Sequence, residues 1–154
     1  MANGQQQFTG APGEVFNPKA NGSDYFFYTH TAIQTLSSLA PTANGVFTTD
    51  ADSDFYCVAF TYAASIADAP LTESTNVLPL VRVLITDSSS GKALMNNPLP
   101  LYAIAGDGKR PYRLVRPRVI GSNATVNCAF TAFVAAGTTY SDLQLVFHGY
   151  KIFR

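Results

Sequence analysis

Over most of its length the chain alternates between runs of period-two apolar residues and dense turn signals. Ala124 to Ala135 is the cleanest run. Val126, Cys128, Phe130 and Ala132 point one way, and Asn127, Ala129, Thr131 and Phe133 the other. A period of two puts successive side chains on opposite faces of a strand. Stretches long enough for a helix carry no apolar residues at three-and-four spacing, so no helix is expected. A chain of short strands with frequent turns must close its apolar faces into a sandwich or a barrel.

Tyr25–Tyr28 is aromatic and suited to a strand. Ala32 to Leu39 alternates imperfectly and stops at Pro41. Asn44-Gly45 reads as a turn dipeptide. Phe55 to Ile66 reads as a long strand with Phe55, Cys57, Ala59 and Thr61 on one face and Tyr56, Val58, Phe60 and Tyr62 on the other. Both faces are largely apolar, as in a strand covered on both sides. A loop over Asp68 to Asn76 precedes a strand from Val77 to Thr86, which ends in the turn Asp87-Ser88-Ser89-Ser90-Gly91. Lys92 to Met95 and Leu99 to Ala105 read as further strands. Arg110 to Ile120 holds two prolines, which places it at a sheet edge. Gly121-Ser122-Asn123 is a turn, and Leu143 to Phe153 is the last strand, with a bulge at Gly149.

Roughly eight to ten strands in about 130 residues suit an all-β, antiparallel β-sandwich, with a jelly roll as the first choice and an immunoglobulin-like sandwich as the second. The chain divides into an extended N-terminal arm over residues 1–23 and a β-sandwich domain over 24–154. The arm is rich in glycine and glutamine, and its apolar anchors are Phe8, Val15 and Phe16. Such a segment cannot bury enough apolar surface to fold alone. It is either a loose terminus or a strap that orders against a neighbour.

Of the 154 residues, 47% are apolar and only 13% are charged, with a formal net charge of zero. So sparse a charged skin suggests that part of the surface is covered by other protein. Zero net charge disfavours a general nucleic-acid or membrane-surface binder. No apolar run approaches the roughly 20 residues needed to span a bilayer. The polar, Gly-rich start lacks the cationic end and apolar stretch of a secretory signal, so synthesis in a cytoplasm is expected. Cys57 and Cys128 each sit in an apolar alternating stretch and are expected buried and reduced, with a cross-strand disulfide as the alternative.

The sequence carries no G-x-S-x-G elbow, phosphate loop or H-E-x-x-H helix. His30 and His148 have no acidic residue beside them in the chain, which leaves a small hydrolase as a third-rank reading. Asp50, Asp52 and Asp54 alternate like the start of a calcium loop. However, Phe55 stands where that loop needs glycine and Thr61 where it needs glutamate. The expectation is a solvated turn whose carboxylates hold local amides, with a weak calcium site as the alternative. The sequons at Asn21 and Asn123 read as turns. No catalytic residue, metal site or cofactor is expected.

The basic cluster is the sharper signal. Lys109, Arg110, Arg113, Arg116 and Arg118 supply five of the ten positive charges. They are interleaved with Pro111, Tyr112 and Pro117, which fix an extended backbone and fan the arginines out. A protein contact is the leading reading, because arginine is enriched at interface cores and pairs in bidentate fashion with carboxylates. A charged edge strand that resists aggregation, or a phosphate clamp, are the alternatives.

The stretches DADSDFYCVAF, LVRVLITDSSSGKALMNNPLPL, AGDGKRPYRLVRPRVIGSNATVNCAF and LQLVFHGYKIF, preceded by a polar arm, together resemble the small β-sandwich virion proteins of tailed bacteriophages. The resemblance covers residues 45 to 153 and brings no catalytic residues. It implies a jelly-roll cement, or decoration, protein on the outer capsid surface that braces neighbouring major capsid subunits. Phe8, Phe16 and Tyr112 would then fill pockets, and the arginines would meet acidic capsid surface. Copies would group as a dimer or trimer. The alternative is a neck or tail component, or a carbohydrate-binding module whose sugar platform would be Tyr25, Tyr28, Tyr62 or Tyr140.

Overall fold

The computed structural model describes residues 22–66, 77–107, 109–134 and 136–154, together with the backbone of 8–9 and 15–16. The expected arm over 1–23 and the loop over 68–76 otherwise lie outside the described residues. Two short strands, β1 (Phe8–Thr9) and β2 (Val15–Phe16), pair antiparallel with each other.

The remainder is a β-sandwich, as its alternating pattern requires. Its strands are β3 (Ser23–Thr29), β4 (Leu36–Ser37), β5 (Thr42–Thr48), β6 (Ser53–Ile66), β7 (Val81–Asp87), β8 (Lys92–Ala93), β9 (Leu99–Pro100), β10 (Tyr112–Ile120), β11 (Thr125–Ala132) and β12 (Thr139–Phe153). One sheet runs β10-β6-β12-β3, with β4 also on β12. The other runs β5-β11-β7-β8, with β9 also on β7. The pairings nest: β3 with β12, β5 with β11, β6 with β10, and β7 with β8 and β9. Every one is antiparallel.

The core lies between the sheets. Leu143, Leu145 and Phe147 of β12 meet Val126, Cys128 and Phe130 of β11 and Val81, Val83 and Ile85 of β7, all fully or almost fully buried. Phe147 sits at the centre, with ring centroids 4.9 Å from Phe47 and 5.0 Å from Phe60. Cys57 and Cys128 are buried and free, and burial pushes both thiols up to about 12. They are therefore protonated, inert packing groups at neutral pH.

Four expectations need correction. Asn44-Gly45 is not a turn but the middle of β5, where Gly45 pairs with Cys128. The reason is close approach: a Cβ at Gly45 would lie 2.3 Å from Cγ of the His30 imidazole, which occupies that space inside the sandwich. Secondly, Leu99 to Ala105 is not one strand. After Pro100 the chain makes a single helical turn, α1 (Leu101–Ile104), closed by the Ala105 amide on the Leu101 carbonyl and anchored by buried Leu101. Proline is suited to such a start. Thirdly, Ala32 to Leu39 yields only the two residues of β4 and a bridge from Ile33 to Leu143, and the strand expected from Val77 begins at Val81.

Fourthly, the faces of β6 cross over. His148 pairs with Ala59 but Gly149 pairs with Cys57, so Val58 is an extra residue. A bulge of this kind inverts the alternation beyond it. Phe60 therefore joins Phe55 and Cys57 in the core, while Ala59 and Thr61 turn to the outer face with Tyr56. The bulge lies opposite the Gly149 position at which one was expected.

His30 is the buried polar group with the most specific surroundings. Its Nδ1 donates to the Thr31 carbonyl (2.8 Å), and its Nε2 accepts from the Leu145 amide (3.2 Å). The second bond demands the neutral ring, and desolvation lowers its pKa below the ordinary 6.5, outweighing the Thr31 bond, which favours the cation. A group with a depressed cationic form leaves the unfolded chain holding more protons. Stability is thus complete above pH 6.5 and is lost as pH falls toward the folded pKa. The His30 contribution to unfolding free energy should fall as pH drops below 6.5, with a slope of at most about 1.4 kcal/mol per pH unit. Denaturant titrations from pH 7.5 to 5 would read it, and the slope should flatten in His30→Asn. An equal slope in that variant would discard the assignment.

Candidate interaction surface

The basic segment is positioned by a tight turn stitched to β6. The Gly106 amide donates to the Phe60 carbonyl (3.2 Å), and its carbonyl accepts from the Tyr62 amide (2.8 Å). The Asp107 carboxylate caps the turn, its Oδ1 accepting from the amides of Lys109 (3.1 Å) and Arg110 (2.8 Å). The chain returns so closely that a Cβ on Gly106 would meet the Arg110 carbonyl oxygen at 1.5 Å. Glycine is needed here because backbone packs against backbone.

β10 then runs along the edge of its sheet, with Tyr112 opposite Phe60 and Arg113 opposite Ala59. Pairing resumes only at Arg118, opposite Cys57. Leu114, Val115, Arg116 and Pro117 thus stand against Val58 alone. The strand loops outward, leaving Val115 85% exposed while Leu114 packs toward the core. Pro117, which cannot donate to a ladder, sits inside this irregularity.

Lys109, Arg110, Tyr112, Arg113, Arg116 and Arg118 are all exposed. Among the described residues none of the five cations makes an ion pair; the two pairs present join Lys151 to Asp50 and Arg154 to Asp54. The cations do not share one face. Arg113 lies on the outer side, where its charge partly offsets the burial that raises the Tyr150 phenol. Arg118 is near enough to the other sheet to help hold the Asp87 carboxyl below its usual range, after the dominant hydrogen bonding from Ser90. Phe8 and Phe16 are placed only by backbone register, opposite each other in the β1–β2 pair. Their side chains lie outside the described residues.

Beside this edge, the outer face of the same sheet is aromatic. Tyr25 is 51% and Phe27 50% exposed. Tyr25 meets Phe27 and Tyr150 edge-on, at 4.9 and 5.2 Å between centroids. His148 lies against Phe27, its Nε2 2.7 Å from Thr61 Oγ1 and its Nδ1 3.4 Å from Tyr25 Oη. Partial burial lowers its pKa. The outer face of the other sheet differs, with Thr48, Thr125, Asn127 and Thr131 among its residues. Sequence reasoning picked out Tyr25 but missed the face as a whole, because its rings come from strands distant in the chain.

Of the four tyrosines expected as a sugar platform, only Tyr25 is exposed. Tyr28 and Tyr140 are buried, and Tyr62 is half-buried. The hydroxyls of Tyr28 and Tyr140 accept the amides of Asp50 (3.1 Å) and Leu80 (2.9 Å). An aromatic body in the core with its hydroxyl on the backbone is a stable use of tyrosine.

The Asp50 and Asp54 carboxylates were expected to hold local amides, and among the described residues they bond groups distant in the chain instead. Asp50 pairs with Lys151, which lowers its pKa, and Lys151 lies over the Phe26 ring at 3.3 Å. Asp54 pairs with Arg154 and accepts from the Ser122 amide. These pairs pin the last strand to the start of β6. Among the described residues no three His, Cys, Asp or Glu side chains gather as a metal site. Neither histidine hydrogen-bonds a carboxylate there. No described helix is long and apolar enough to cross a membrane. No family model matches the chain, nor does any curated protein or solved structure.

Proposed function

We propose that this chain is a non-enzymatic virion structural protein, a cement protein that clamps neighbouring major capsid subunits on the outer capsid surface. The observation that carries the reading is the β10 edge, where five exposed cations and Tyr112 stand without an ion-pair partner among the described residues. A free-standing monomer would have little use for such a row so close to the exposed rings of Tyr25 and Phe27. An acidic protein surface satisfies both, since arginine forks match carboxylates while aromatic rings supply contact area. The nested strand pairing supports a jelly roll, in which an eight-stranded double sheet folds back on itself. That body is rigid enough to hold subunits in register.

Binding only the assembled shell stabilises it by mass action. Charge reversal at Arg113 and Arg116 should therefore strip the protein from particles. Because neither side chain bears on the fold, circular dichroism and thermal unfolding should match the parent. Occupancy on purified particles should fall by roughly an order of magnitude or more, the range for losing central charge contacts. Full occupancy by the doubly reversed protein would remove the basic edge from the interface and this reading with it.

A further inference from the structure

The two sheets expose four edges, and three carry a device that discourages pairing. β10 has arginines, Pro117 and the outward loop at Val115. β8 and β9 are two residues long. β5 has Asn44-Gly45 at its centre, residues poorly suited to strands. Charge, proline, bulges and short length are the usual means of blunting an edge. β3 has no proline, no bulge and full length, and its one charge, Asp24, stands near its start.

β3 reads Ser-Asp-Tyr-Phe-Phe-Tyr-Thr, with no proline and no cation, and its register on β12 is unbroken over seven residues. Its ladder parity can be fixed. The Leu143 and Phe153 amides bond Ile33 and Gly22 on this side of β12. By alternation Phe147, Gly149 and Lys151 turn the same way, toward their partners Tyr28, Phe26 and Asp24. The backbone groups of Tyr25, Phe27 and Thr29 therefore point outward. No described residue bonds them. The side chains of Tyr25, Phe26 and Phe27 are exposed on the same strand. Backbone groups with no partner among the described residues and exposed aromatics thus coincide.

We propose that β3 is a dimerisation edge: two copies of this chain pair β3 against β3, antiparallel, about a two-fold axis at Phe26. That register overlaps the whole strand with itself. Tyr25 pairs with Phe27 of the second copy, and Asp24 faces Tyr28, so no like charges oppose. The two β10-β6-β12-β3 sheets become one continuous sheet, and the aromatic faces become continuous. A second copy is the occupant because the strand is complementary to itself in length, charge and hydrogen-bonding parity, the condition for an isologous contact. The proposal does not depend on the capsid reading.

Sedimentation of the full chain tests it, at about 100 μM, where a dimer of micromolar affinity is formed. The wild type should show twice the chain mass. Phe27→Pro removes an outward amide, which an edge strand tolerates, along with the ring that meets Tyr25 and His148, and Phe27→Lys replaces that ring with an edge charge; both should sediment at the single-chain mass with unchanged strand signature. Hydrogen exchange on the wild type gives an answer independent of any variant: the Tyr25 and Phe27 amides should be protected at high concentration and exposed on dilution. A wild-type monomer, a trimer, a dimer indifferent to both substitutions, or fast exchange at those two amides at every concentration would each overturn the proposal.

Discussion

Gly45→Ala is expected to destabilise the domain by about 3 kcal/mol, near the top of the range for forcing volume into a packed interior. The added methyl would lie 2.3 to 2.8 Å from three atoms of the His30 ring. The ring cannot yield easily. It is tied at Nδ1 to Thr31 and at Nε2 to the Leu145 amide, and it rests against Phe130 at 5.1 Å. Moving it would leave a buried amide unpaired, which costs about 1–3 kcal/mol in its own right. Thermal unfolding should accordingly fall by roughly 6–12 °C, given about 2–4 °C per kcal/mol for a chain of this size. The cause is separable from a simple strand defect by a double-mutant cycle. With His30→Ala already present, the alanine at 45 meets empty space, and its added cost should shrink to well under about 1 kcal/mol. Additive losses would mean that the imidazole is not what requires glycine.

This pairing also shows why parts of the fold could be read from the chain and parts could not. β11 was legible because its alternation is unbroken and each inward residue is apolar. The turn at Asp87 was legible because its chemistry is local: the carboxylate accepts from the Ser89 and Ser90 amides and from the Ser90 hydroxyl. β5 was hidden because the reason for Gly45 lies fifteen positions away, on a histidine brought there by the crossing between sheets. β6 was half legible. Its length was evident, but a single surplus residue, Val58, exchanges its faces, and nothing in the residue types of β6 itself announces the bulge, which only Gly149 on β12 signalled.

The candidate surface divides along the same line. The cations of β10 are a cluster in sequence, so they were found. That they fan out was also legible, but the four residues looped out against Val58 were not. The aromatic face is built from β3, β6 and β12, three strands distant in the chain, with rings that look equally suited to a core. Which tyrosines are buried was decided by hydrogen-bond partners, the Asp50 and Leu80 amides, that no local pattern reveals.

Phe147→Ala should be the most costly single truncation, at about 3–5 kcal/mol, as for other buried phenylalanines. Phe147 is fully buried and is the ring that joins β12 to both Phe47 of β5 and Phe60 of β6, so its loss opens a cavity where the two sheets meet. Thermal unfolding should fall by roughly 10 °C or more. The adjacent residue supplies the contrast. His148 faces outward and leaves only hydroxyl partners behind, so His148→Ala should cost about 1 kcal/mol or less. The pair tests the register itself, because a slip of one residue on β12 would exchange the two positions, carrying the imidazole inward and the phenyl ring out. Equal costs, or a reversed order, would show that β12 is misplaced. The Val58 bulge, the aromatic outer face and the dimer edge on β3 would then lose their common footing, since each is fixed by which side of β12 faces the core.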